Sequence, residues 1–135
     1  MIYMLDTNIC IYIIKQKPKE VIDHFKKMKE NDICISSITY SELLYGAEKS
    51  SNVKKNLLAL TMFLSNIETL PYDENASSEY GLIRAELEKD GKPIGPLDML
   101  IAAHAKSLNI KLVTNNVKEF ERVKGLKIEN WVKNK

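Results

Sequence analysis

Asp6, Glu42 and Asp98 are the residues of this sequence whose types and places could do chemistry together. Asp6 closes the short apolar run ending at Leu5, and two readings fit it. It is an N-cap for a helix that starts at once, or a carboxylate at the edge of a sheet where α/β folds bind their ligands. Asp98 lies in the first turn of a helix opened by Pro96, where an acid suits the helix dipole. However, Ile101, Ala102, Ala105 and Leu108 follow it at i+3, i+4, i+7 and i+10, which puts Asp98 on the apolar stripe and aims its carboxylate inward. Capping of a neighbouring helix is the other reading. Glu42 flanks the apolar stripe of its own helix, a place where a glutamate is ordinarily solvated. Taken together, three carboxylates near one sheet edge repel one another, and an all-oxygen set without Cys or His suits a hard cation, Mg²⁺ or Mn²⁺. Zinc does not fit: His24 and His104 are far apart and neither has ligand spacing to a cysteine. His104, on a helix, reads as a packing or hydrogen-bonding residue.

These acids need elements to bring them together. Short apolar runs at 2–5, 32–35, 67–70 and 111–113, with a weaker fifth at 126–128, read as strands. Between them lie helical patterns: one from Pro18 to about Lys29, one over 39–48 with Tyr40, Leu43, Leu44 and Ala47, and one from near Asn56 with Leu57, Leu60, Met62 and Leu64. Two more cover 74–89, stopped by Asp90-Gly91, and the stretch from Pro96 to near Asn109. Strands alternating with helices predict a parallel sheet covered on both faces, an α/β sandwich in one domain over residues 1–135. The 90–96 stretch is rich in Gly and Pro but short, a connection rather than a boundary.

Composition narrows the class. The 135 residues are 44% hydrophobic and 28% charged, as in an ordinary globular protein. The formal net charge of +2 neither demands nor excludes a nucleic-acid partner. Lys26, Lys27 and Lys29 read either as a phosphate contact or as a solvated helix face. Cys10 and Cys34 sit in apolar runs and read as buried thiols of a reducing compartment. No secretory signal and no run near the ~20 apolar residues of a membrane span are seen, so a cytoplasmic protein is expected. There is no phosphate-binding glycine loop, no dinucleotide turn and no Gly-x-Ser-x-Gly elbow.

The segments Tyr3-Met4-Leu5-Asp6-Thr7-Asn8, Ile35-Ser36-Ser37-Ile38-Thr39-Tyr40-Ser41-Glu42-Leu43, Gly95-Pro96-Leu97-Asp98-Met99-Leu100-Ile101-Ala102-Ala103-His104-Ala105 and Leu112-Val113-Thr114-Asn115-Asn116 occur in that order, followed by Glu119-Phe120-Glu121-Arg122-Val123 and the terminal Glu129-Asn130-Trp131. Over essentially its whole length the chain resembles the PIN-domain nucleases, and more closely the VapC-type toxins of bacterial VapBC toxin–antitoxin pairs. The resemblance implies a three-layer α/β/α fold with a five-stranded parallel sheet and Asp6, Glu42 and Asp98 as metal-binding acids. Thr7 and Thr114 would support the pocket. The acid of the family's Thr-x-Asp motif is replaced here by Asn116, a neutral oxygen ligand or a hydrogen-bond donor.

The function implied is Mg²⁺- or Mn²⁺-dependent hydrolysis of RNA, commonly tRNA, which would inhibit translation. It would proceed by metal-activated water and, if two cations assemble, by their in-line clamp. Direct ligation and orientation of the attacking water stay open for Glu42. Arg84, Lys92 and Arg122 are candidates to hold the RNA backbone, although Arg84 could equally pair with a nearby glutamate. The implied partners are a second copy of the chain and a VapB-type antitoxin that occludes the pocket and alone contacts operator DNA. Tyr40, Leu43, Leu44 and Leu57 fit either such contacts or ordinary core packing. A structure-specific DNA nuclease and a degenerate PIN-like binding module are the rival readings.

Overall fold

A computed structural model describes residues 1–132. Five short parallel strands, β1 (Tyr3–Leu5), β2 (Ile33–Ser36), β3 (Glu68–Leu70), β4 (Lys111–Val113) and β5 (Ile128–Glu129), form one sheet in the order β3-β2-β1-β4-β5. The chain lays down β1, β2 and β3 towards one edge, then returns to place β4 and β5 on the other side of β1. Strand order therefore reverses between β1 and β4, the point where a parallel sheet opens a crevice at its carboxyl edge. Met4 is in register with Cys34 on one side and Leu112 on the other.

Both faces of the sheet are covered, so its central strands are apolar at successive residues rather than alternating. Met4, Cys34 and Leu112 point into one core with Ile83, Leu87, Met99 and Ile101. Leu5, Ile35 and Val113 point into the other with Ile9, Ile13, Val21, Leu43 and Leu60. The first core lies under α5 (Glu74–Lys89) and α6 (Pro96–Ser107). The second lies under α1 (Thr7–Lys15), α2 (Lys19–Lys27) and α4 (Val53–Leu64), with α3 (Ser37–Glu48) contributing Leu43. This is the expected three-layer arrangement. Cys10 and Cys34 are buried free thiols, as expected.

Element ends differ from the sequence expectation where a cap decides them. Asp32 belongs to a 3₁₀ turn (Glu30–Asp32), and β2 runs on to Ser36. The Ser36 hydroxyl accepts from the Ile38 amide at 3.1 Å, so α3 starts before Thr39. Asn52 likewise accepts from the Lys55 amide at 3.2 Å and starts α4 before Asn56. β5 is displaced to Ile128–Glu129, and α7 (Val117–Phe120) was not expected at all. Among the described residues no helix is long and apolar enough to cross a membrane.

Candidate active site

Asp6 leaves β1 at the reversal point, its backbone amide still bonded to Val113 at the end of β4 (3.0 Å). Both readings of this residue hold at once. Its Oδ1 caps α1 by accepting from the Ile9 amide at 2.9 Å, and its side chain is only 5% exposed at the sheet edge. Burial, with the Glu42 charge adding to it, lifts the Asp6 carboxyl to about 6 against hydrogen bonds from Thr114, Ile9 and Asn8 that pull it down. Thr114 follows β4 directly and is fully buried; its hydroxyl accepts from the Asn116 amide at 2.9 Å, which leaves its proton for Asp6.

Glu42 is brought in from α3. Its Oε1 accepts a 2.8 Å hydrogen bond from the Thr7 hydroxyl in the first turn of α1, and Thr7 also reaches the Thr39 hydroxyl at 3.4 Å. The expectation of a solvated flank is thus set aside: the side chain is tied towards Asp6. Asp98, in the first turn of α6, is half-buried. Burial, the neighbouring Glu119 and the charges of Asp6 and Glu42 together push it to about 6. The stripe argument for Asp98 holds in direction but not in detail. Ile101, Ala102 and Ala105 are buried, yet Met99, Ala103 and His104 are buried too, and Leu108 is 39% exposed. α6 is wrapped on both sides, so burial there does not mark a single stripe.

Glu119 is the site residue missing from the sequence reading, in which it is an ordinary charge within the segment 119–123. It shares a hydrogen bond with Asp98 that helps to raise the Asp98 carboxyl. Asn116 Nδ2 donates to Glu119 Oε2 at 2.7 Å. The spacing Asn116-x-x-Glu119 is that of a capping box and was a legible hint that the two side chains meet. Asn116 thus stands as a donor that holds a fourth acid at the edge of the pocket.

Four carboxylates from four elements therefore face one another across the carboxyl edge of β1 and β4. Among the described residues no three of them are gathered into a closed metal cage. The donor set is nonetheless all oxygen and all acidic, and two of its members are held near 6 by burial and mutual repulsion. A hard divalent cation relieves both, so the residues fit Mg²⁺ or Mn²⁺. His104 stays outside: its Nδ1 lies 2.7 Å from Ser36 Oγ, its ring stands edge-on to Tyr72, and burial lowers its pKa. His24 stacks on Trp131 far from these acids in sequence.

The peripheral cations divide. Arg84 is bound within α5 to Glu88 at 3.1 Å and Tyr80 at 2.9 Å, so its structural reading holds. Arg122 donates to the Pro93 carbonyl at 2.9 Å, and Lys92 lies on the same loop. Lys26, Lys27 and Lys29 are exposed, a solvated face. Leu43 is core, Leu44 packs against it, Leu57 is half-buried and Tyr40 is at the surface.

Comparison with known proteins identifies the family. Residues 3–126 match the PIN domain. A Shigella flexneri protein named tRNA(fMet)-specific endonuclease VapC is 50% identical over 129 residues, covering 96% of this chain and 97% of its own. Ribonuclease VapC2 of Haemophilus influenzae strain Rd is 49% identical over 130 residues, covering 96% and 98%. The solved structure of VapBC2 from Rickettsia felis bound to a DNA fragment from their promoter superposes with a TM-score of 0.91 at 43% identity, covering 98% of this chain and all of that one. Matched almost end to end by such relatives, the chain belongs to the PIN-domain family and, within it, to the VapC ribonuclease toxins of VapBC toxin–antitoxin systems.

Proposed function

We propose that the chain is a divalent-cation-dependent endoribonuclease that cuts tRNA in the cytoplasm, and so arrests translation, until an antitoxin of the VapB type binds it. The observation that carries the reading is the meeting of Asp6, Glu42, Asp98 and Glu119 at the sheet reversal, with Asp6 and Asp98 both held near 6. These four would hold Mg²⁺ or Mn²⁺, which when bound supplies a positive charge for the scissile phosphate and a more acidic water.

The chain's own groups do the rest. Thr114 and the α1 amides fix Asp6, so its carboxylate does not have to be ordered when substrate arrives. Thr7 holds one oxygen of Glu42 and leaves the other for a cation or for the attacking water. Asn116 orients Glu119 against Asp98. The name of the Shigella relative, tRNA(fMet)-specific endonuclease, supports initiator tRNA as the first substrate to try. The Rickettsia VapBC2 structure bound to a fragment of its promoter supports operator contact as part of a toxin–antitoxin complex. Pairing of the toxin with a second copy is part of the same proposal.

The test is incubation of the antitoxin-free chain with total tRNA and Mg²⁺ or Mn²⁺, beside EDTA lanes and the variants Asp6→Asn and Asp98→Asn. Discrete fragments are expected only in the metal lanes of the unaltered chain. A matched DNA oligonucleotide is expected to stay whole, and its cleavage would favour the DNA-nuclease reading. The binding-module reading rested on Asn116, and Glu119 beside it restores an acid to that corner; uncut tRNA, mRNA and rRNA together would bring that reading back.

A further inference from the structure

The loop that feeds α6 and the segment around α7 supply Asp98 and Glu119 to the pocket, and the same two segments carry cations on their outer side. Gly91, Lys92 and Pro93 from the loop, with Lys118, Glu121 and Arg122 from the α7 segment, line a shallow open hollow of about 520 Å³. Three cations face one carboxylate there. Arg122 spends one of its five donors on the Pro93 carbonyl and thereby fixes the two rims relative to each other. Gly91 sits at φ +66°, and nothing lies within 4 Å of where its side chain would be, so that end of the hollow is open. Lys118 is next in sequence to Glu119, the partner of Asp98, so the α7 segment that forms one rim of the hollow also supplies an acid to the pocket.

That neighbourhood matters because the pocket alone opposes its own substrate. Four carboxylates repel a polyanion, and a cation held among them compensates only the phosphate being cut. The next phosphates along the strand need positive charge outside the pocket. We propose that this hollow is a phosphate subsite for the RNA backbone next to the scissile bond, with Lys92 and Lys118 as the contacts and Arg122 as the brace that holds them in register. The inference rests on the ribonuclease reading and adds to it the side on which the strand leaves the acids.

The experiment compares the unaltered chain with three variants: Lys92→Gln/Lys118→Gln, Glu121→Gln, and a control, Lys27→Gln/Lys29→Gln, that removes the same charge elsewhere. Cleavage kinetics on tRNA with Mg²⁺ are paired with binding of fluorescein-labelled tRNA in EDTA across a salt series. The hollow variant should raise KM about tenfold with kcat little changed, and flatten the salt slope of binding by about 0.7–0.9 per lysine. Glu121→Gln should lower KM, a gain that misfolding cannot produce. The control should do neither. Binding and KM in the hollow variant equal to those of the unaltered chain or the control would overturn the subsite. Failure of the ribonuclease reading looks different, as uncut RNA with the unaltered chain, and the binding arm still decides the hollow in that case.

Discussion

Asp6 is a helix cap and a candidate metal ligand at once, and its environment sets how the site responds to pH. Its carboxyl and that of Asp98 stand at about 6 in the folded chain, above the ordinary 3.8. Because the folded values are raised, the native state binds these protons more tightly than the unfolded chain does. Their contribution therefore favours folding below about pH 4, is lost as pH rises towards 6, and stays lost above it. For Asp6 the difference is on the order of 3 kcal/mol. A divalent cation held by these acids, as proposed, would reverse this above pH 6, where the carboxylates are free to bind it, and would compete with protons below. The expected outcome is a rise in Tm on adding MgCl2 at pH 7.5 that shrinks towards zero at pH 5, with tRNA cleavage falling over the same interval. A Mg²⁺ shift of equal size at both pH values would show that these two acids are not the ligands. At this scale part of the site was legible: Asp6 ends an apolar strand and Asp98 lies on a helix face that turns inward, whereas the flank position of Glu42 reads as solvated and only the motif it belongs to singles it out. Glu119 was not, because a four-residue helix is too short to show a stripe and its partner Asp98 is 21 positions away.

Ser36 shows what an element boundary can carry. It ends β2, caps α3 through the Ile38 amide, and meets buried His104 of α6 at 2.7 Å, joining three elements through one hydroxyl. Replacing it by alanine removes the cap, at about 1 kcal/mol, and leaves a buried imidazole nitrogen unpartnered, at about 1–3 kcal/mol. Ser36→Ala should therefore lower the urea midpoint by an amount equivalent to about 2–4 kcal/mol with an unchanged m-value. Loss of less than 1 kcal/mol would mean that the His104 contact contributes nothing. The order and type of the elements were readable because β1, β2 and β4 are buried on both faces and so stand out as unbroken apolar runs. Their ends were not, since they depend on single side chains such as Ser36 and Asn52 choosing an amide three-dimensionally close but unmarked in the pattern. β5 was the least legible strand, an edge pair of residues, Ile128 and Glu129, with only one neighbour to define it.

On the scale of the whole molecule, the apolar surface is uneven. Leu58 and Met62, one turn apart on α4, are 62% and 67% exposed. Beside them Ile13, Ile14, Ile22, Phe25 and Phe63 line a hollow of about 440 Å³ between α1, α2 and α4. A second hollow of about 350 Å³ shares Ile14, runs along Ile11, Leu43 and Leu60, and ends at Glu42. An apolar segment of an antitoxin laid along this path would bury α4 and reach the acids in one stroke, coupling tight binding to inhibition. Leu58→Asp/Met62→Asp should then raise the antitoxin concentration needed for half-inhibition of tRNA cleavage by at least tenfold, with uninhibited cleavage unchanged because neither residue touches the acids. Unchanged inhibition would place the antitoxin elsewhere. Loss of cleavage without antitoxin would mean that α4 supports the catalytic face rather than a partner.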